Sequence, residues 1–144
     1  MERRLDEWMT LTQGRFRRLI GQYAASLGLQ PGQGKILEYL TQHDGCTQNE
    51  LGAFWDLDKS TVSGLVARME RDGLLVLGRD ENDRRCAVVR ILPRGRELSA
   101  RMQEYIAGVD ARVWAGVSEA DRAVLVRVLG QIFANLDETG RCGE

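Results

Sequence analysis

The chain has 144 residues, 43% of them hydrophobic and 28% charged, with 20 basic residues against 21 acidic ones and a single histidine. That length and apolar content suffice for one sizeable core, and no second independent domain is indicated. Apolar runs are short and broken by charges, and Met1 to Asp6 are not followed by a signal-peptide core, so neither a membrane span nor export is expected. Cys46, Cys86 and Cys142 are too few and too scattered for a disulfide framework or a metal cage, which fits a reducing cytoplasm. One histidine, with no Gly-rich phosphate loop, no Gly-x-Ser-x-Gly elbow and no spaced carboxylates, argues against an enzyme, and no cofactor or metal is expected.

The first element is a long amphipathic helix. Leu5, Trp8, Thr12, Phe16, Leu19, Tyr23 and Leu27 recur at steps of three or four, and Gly28 and Pro31 end the pattern. A second helix, from Gln33 to His43, turns Ile36, Leu37 and Leu40 inward and is broken by Asp44-Gly45. Thr47-x-x-Glu50 is a capping box that opens a third helix, with Leu51, Phe54 and Trp55 as its expected apolar face.

Asp58 is the N-cap of the fourth helix. Val62, Leu65, Val66 and Met69 form its inner face, and Gly73 stops it. Lys59, Ser60, Thr61 and Ser63 crowd its first turn and a half, where backbone N–H groups and short hydroxyl side chains can approach a phosphate or a base edge. Two short helices joined by a turn, the second polar at its start, read as a helix-turn-helix. Leu74–Leu77 and Cys86–Leu92 are β-prone runs around an Asp- and Arg-rich connection, which reads as a hairpin with a charged tip and completes a winged helix. From Lys59 to Arg96 nine basic residues face five acidic ones, so this segment carries +4 in a chain whose net charge is -1. A local basic footprint on an acidic body suits site-selective binding to a polyanion.

Beyond the hairpin, Leu98, Met102, Tyr105, Ile106, Val109, Val113 and Trp114 mark a fifth helix that Gly116 closes. Ser118 caps a sixth, with Val124, Leu125, Val128, Leu129, Ile132, Phe133 and Leu136 expected inward, and Thr139 to Glu144 read as a frayed tail.

Leu57-Asp-Lys-Ser-Thr-Val-Ser63, Arg68-Met-Glu-x-x-Gly-Leu-Leu75 and Arg79-Asp-Glu-Asn-Asp-Arg-Arg85 resemble the MarR family of winged helix-turn-helix transcription regulators. Gln33 to Leu37, Cys46 to Leu51 and Leu92-x-x-Gly-Arg96 extend the resemblance, which covers about Pro31 to Arg96. It implies a mainly α fold with a small β wing, in one domain, 1–144. Within it, 31–96 would be the DNA-binding region, and 1–30 and 97–144 a helical dimerisation region. It also implies a cytoplasmic homodimer, acting as a repressor, that binds a palindromic operator in double-stranded DNA. A small aromatic or phenolic effector would bind between the DNA-binding lobe and the helical region. The alternative to a dimer is a monomeric bundle whose end helices pack on themselves.

Residue by residue, the resemblance sends Arg85 into the minor groove, oriented by Asp83, with a surface ion pair as the bland alternative. Arg84 would meet phosphate or stabilise the wing. Arg68 and Arg71 would either contact the DNA backbone or complement the helix dipole. Gly64, at about 1 kcal/mol of helix propensity relative to alanine, admits close approach of DNA or of a neighbouring backbone. The family usually has threonine where this chain has Pro93, which leaves the start of the fifth helix open.

For the effector, Phe16, Tyr23, His43 and Met102 are candidate contacts, and ordinary core packing accounts for them equally well. His43 is first a helix C-terminal cap. Two further functions are weighed. A thiol-based redox sensor of the same fold would use Cys46 or Cys86, the latter beside arginines that could lower its pKa. A protein–protein adapter would be expected to lack the Asp83-x-Arg85 pair.

Overall fold

The computed structural model describes residues 2–140. Its elements are α1 (Leu5–Ser26), α2 (Gln33–Gln42), α3 (Gln48–Trp55), α4 (Lys59–Arg71), β1 (Leu75–Arg79), β2 (Ala87–Ile91), α5 (Pro93–Val113) and α6 (Glu119–Gly140). This is a mainly α fold with a small β wing. Cys142 and the rest of 141–144, the end of the expected tail, lie outside the described residues, whereas Thr139 and Gly140 belong to α6. Packing divides the chain into two units that part within α5, after Ile106.

In the first unit the core is built where the apolar spacing placed it. Ile36, Leu37 and Leu40 from α2, Leu51 from α3, and Val62, Val66 and Met69 from α4 are buried together with Leu75, Val89 and Met102. The Thr47 box forms in full: Glu50 N–H donates to Thr47 Oγ1 at 3.2 Å, and Thr47 N–H donates to Glu50 Oε2 at 2.6 Å. The α3–α4 turn needs Asp56 in the left-handed region, at φ 52°, a conformation that aspartate tolerates better than most residues. Proline resolves the start of α5: Pro93 is its first residue, where a missing N–H costs nothing.

Antiparallel β1 and β2 pair from Leu75↔Ile91 to Arg79↔Ala87. Cys46 adds a bridge on the far side of β2, where Val89 N–H donates to the Cys46 carbonyl at 2.7 Å and Gly45 N–H to the Val89 carbonyl at 2.9 Å. Asp44 closes the same edge, accepting from Ile91 N–H at 2.9 Å while pairing with Arg96 at 3.0 Å. The wing root is thereby tied to the end of α2 and the start of α5.

Two expected faces are not buried. Phe54 is 61% exposed, because it leans over α2 against Tyr39 (ring centroids 4.9 Å apart) and Trp55 (5.0 Å) instead of entering the core beneath Leu51. On α1 the stripe splits: Ile20, Tyr23 and Leu27 pack on the core, whereas Leu5, Trp8, Met9, Leu11 and Phe16 are exposed.

In the second unit, Ser118 caps α6 as expected, its Oγ accepting from Asp121 N–H at 3.1 Å. Asp110 accepts from Trp114 Nε1 at 2.9 Å and pairs with Arg122 at 3.6 Å, which holds the turn around Gly116. The inward assignment of the α6 stripe is corrected: Val124, Leu125, Val128, Leu129, Phe133 and Leu136 are exposed and Ile132 half-buried. Helical spacing shows that a face is apolar and is silent on what covers it.

Candidate nucleic-acid interface

The α4 helix starts on a strong cap. Asp58 Oδ1 accepts from Thr61 N–H at 2.7 Å and from Ser60 Oγ at 2.8 Å, and these bonds hold its carboxyl below the usual range. Val62, Val66 and Met69 fix the inner face, so Lys59, Ser60, Thr61, Ser63, Ala67, Arg68 and Arg71 are all exposed on the outer one. Ser60 donates its proton to the cap and keeps its oxygen to accept. Gly64 belongs to this face, and no atom of another element lies within 4 Å of where its Cβ would be. Among the described residues, a neighbouring backbone therefore does not explain this glycine.

The wing tip is a chain of turns built by aspartates. Asp80 Oδ1 accepts from Asn82 N–H (2.8 Å) and Asp83 N–H (2.9 Å), and the N–H groups of Asp83 and Asn82 hold its carboxyl low. Asp83 Oδ1 accepts from Arg85 N–H at 3.0 Å and lies 3.6 Å from Arg85 Nε. Arg85 is anchored through its backbone, and its side chain is 96% exposed against 54% for Asp83. Arg79 Nη1 reaches the Arg85 carbonyl at 3.4 Å, and Arg84 is exposed. Asp80 was overlooked in the sequence, although Asp-x-Asn-Asp between two strands is a recognisable turn signal.

The electrostatics of Cys86 reverse the expectation. Its Sγ faces Asp83 Oδ2 at 3.7 Å, and the Asp83 charge, ahead of burial, raises the thiol pKa despite the adjacent arginines. Cys46 is buried, and burial with the nearby Glu50 charge pushes it up to about 11. Neither environment favours a thiolate.

The candidate effector contacts occupy different settings. Tyr23 stacks on Tyr105 with centroids 4.1 Å apart, and Met102 is buried in the core of the first unit. Phe16 is at the exposed margin of α1. His43 is the C-cap residue of α2, stacked on Tyr39 at 4.3 Å with Nδ1 3.3 Å from the Tyr39 carbonyl.

A family model described as the MarR family matches residues 27–85, which span the helix-turn-helix and the wing tip. The chain is also 27% identical over 130 residues to the HTH-type transcriptional repressor IacR of Pseudomonas putida, covering 90% of this chain and 78% of that protein. Residues 27–85 thus match the MarR family, and the fold and the curated relatives are those of winged-helix transcription regulators rather than enzymes. Two solved MarR-type folds superpose on most of it. The S. aureus MepR–DNA complex gives a TM-score of 0.85 at 20% identity, covering 92% of this chain and 96% of that one. PcaV of Streptomyces coelicolor, in complex with its natural ligand, gives 0.75 at 24% identity, covering 88% and 89%. No described helix is long and apolar enough to cross a membrane.

Proposed function

We propose that this chain is a MarR-family regulator, a homodimeric repressor that reads a pseudo-palindromic operator in duplex DNA and lets go when a small aromatic or phenolic effector binds. One observation carries the DNA-reading part: the exposed polar face of α4 shares a unit with a wing that exposes the Arg85 side chain on an aspartate-built turn. Lys59, Ser60, Thr61 and Ser63 then meet the major groove, with Arg68 on phosphate. Arg85 enters the minor groove, Asp83 orients it, and Arg84 meets the neighbouring phosphate. The DNA in the MepR complex and the repressor role of IacR support this assignment.

The division of labour follows from it, with 31–96 as the reading head and 1–30 and 97–144 as the dimerisation region. The exposed apolar stripes of α1 and α6 support a second copy as their cover. The ligand bound by PcaV supports an effector, for which Phe16, Tyr23, His43 and Met102 are the candidate contacts. The raised thiol pKa values weigh against redox sensing by Cys46 or Cys86, and the Asp83–Arg85 pair weighs against an adapter.

The test is affinity for an operator found by genomic footprinting, at one salt concentration. Arg85→Ala should weaken binding by about 1 to 2 kcal/mol, with the larger loss where an A·T-rich flank narrows the minor groove. Asp83→Ala should also weaken it, through a misplaced Arg85, although it removes a negative charge. Tighter binding by Asp83→Ala would reduce Arg85 to an ordinary surface cation.

A further inference from the structure

The outer edge of β1 is held by a carboxylate from α4. Glu70 Oε2 accepts from Leu77 N–H at 2.7 Å. Leu77 pairs with Val89, and Val89 directs both its N–H and its carbonyl to the Gly45–Cys46 segment, away from β1. The Leu77–Val89 pair is thus of the non-hydrogen-bonded kind, and Leu77 N–H points out of the sheet edge, where only a side chain or solvent can meet it. Asp44 and Cys46 clamp one edge of the two-stranded wing, and Glu70 clamps the other.

This acid is costly where it stands. Glu70 is exposed in the last turn of α4, against the negative end of the helix dipole and on the helix that approaches a polyanion. Val76 and Leu77, on opposite faces of β1, are both exposed, so apolar packing fixes the strand at Leu75 alone. We propose that Glu70 is a positioning residue for DNA binding: by holding the Leu77 N–H it sets the wing against the recognition helix, so that Arg85 and the α4 face meet one duplex in register. This rests on the DNA-reading assignment above. A rigid link between two reading elements lowers the ordering cost on binding, which otherwise falls on the wing.

The experiment measures E70A, E70Q, E70D and R85A on the same operator. Two altered operators accompany it, one changed in the A·T-rich flank and one in the base pairs facing α4. E70A should bind about tenfold more weakly, the loss expected for a hydrogen bond to a charged group. It should lose discrimination at the flank and keep it at the α4 base pairs. E70Q, whose amide oxygen still accepts from Leu77, should bind within about twofold of wild type, whereas E70D, equally charged but one methylene short, should resemble E70A. Binding by E70A at wild-type strength or tighter, as charge removal alone would give, overturns the strut. So does a uniform loss that E70Q shares, or wild-type binding by E70D if E70A does not fold. If R85A weakens binding and E70A does not, the strut falls and the wing assignment stands; if R85A has no effect, both fall.

Discussion

Leu129→Glu combined with Phe133→Glu is expected to convert the protein to a monomer and to abolish operator binding at concentrations where the native protein is saturated. Both side chains are exposed on α6, at 40% and 60%, one turn apart on the same face. With Leu125 and Val128 they leave an apolar face exposed along α6, of the kind that marks an interaction surface, and α1 exposes an apolar stripe of its own. Two glutamates per protomer would put four unpaired charges into a dry interface, at a cost of several kcal/mol on the order seen for uncompensated buried charges. Operator affinity falls with them, because a monomer presents one recognition helix while a palindrome needs two, about 34 Å apart. Sedimentation checks this: the native protein should run at twice the chain mass of 16.2 kDa, and the variant at that mass. A native protein that is monomeric at micromolar concentration would contradict the dimer.

Gly95→Ala is expected to damage the fold rather than the interface. A Cβ there would run into the Leu74 carbonyl oxygen and lie 2.9 Å from Ile91 Cγ1 and 3.2 Å from Leu37 Cδ2. The carbonyl cannot simply move, because it accepts from Leu92 N–H at 3.0 Å where the chain leaves β2 for α5. Gly95 is buried in the first turn of α5, so the helix would have to back away from the wing root and open the core around Leu37. Overpacking against backbone costs on the order of 3 kcal/mol or more, which in a chain of this size lowers Tm by roughly 10 °C at fixed protein concentration. Gly64→Ala is the contrast, since its Cβ meets open space. It should raise Tm slightly, by removing about 1 kcal/mol of helix cost. Thermal melts of both variants check the pair, and a melt for Gly95→Ala equal to the native one would refute the close packing of α5 on the wing root.

The helix-turn-helix was legible in the sequence because each boundary has a local cause. The Thr47 box, the Asp58 cap and the buried positions 62, 66 and 69 act within a turn or two of themselves, and the structure forms all of them. What could not be read depends on neighbours that meet across elements. Cys86 looked cationic from Arg84 and Arg85 beside it, yet the wing turn brings Asp83 back onto its sulfur. Glu70 looked like one more acid on a basic segment, yet β1 returns Leu77 N–H to it from seven residues away. Phe54 looked like core and the α6 stripe looked inward because periodicity marks apolar faces without naming their cover. At the interface, sequence supplied the residue types of α4 and the wing, whereas the backbone anchoring of Arg85 by Asp83 needed coordinates.

The most direct measurement of the central claim is the salt dependence of binding to a footprinted operator, beside an unrelated duplex of equal length. Residues 59–96 carry +4 in each copy, in a chain of net charge -1. Neutralising several phosphates in each half-site should make affinity fall by about three orders of magnitude between roughly 50 and 200 mM salt, with the operator held far more tightly than the unrelated duplex throughout. A flat salt response, or equal affinity for the two duplexes at every salt concentration, would contradict a sequence-reading DNA-binding regulator.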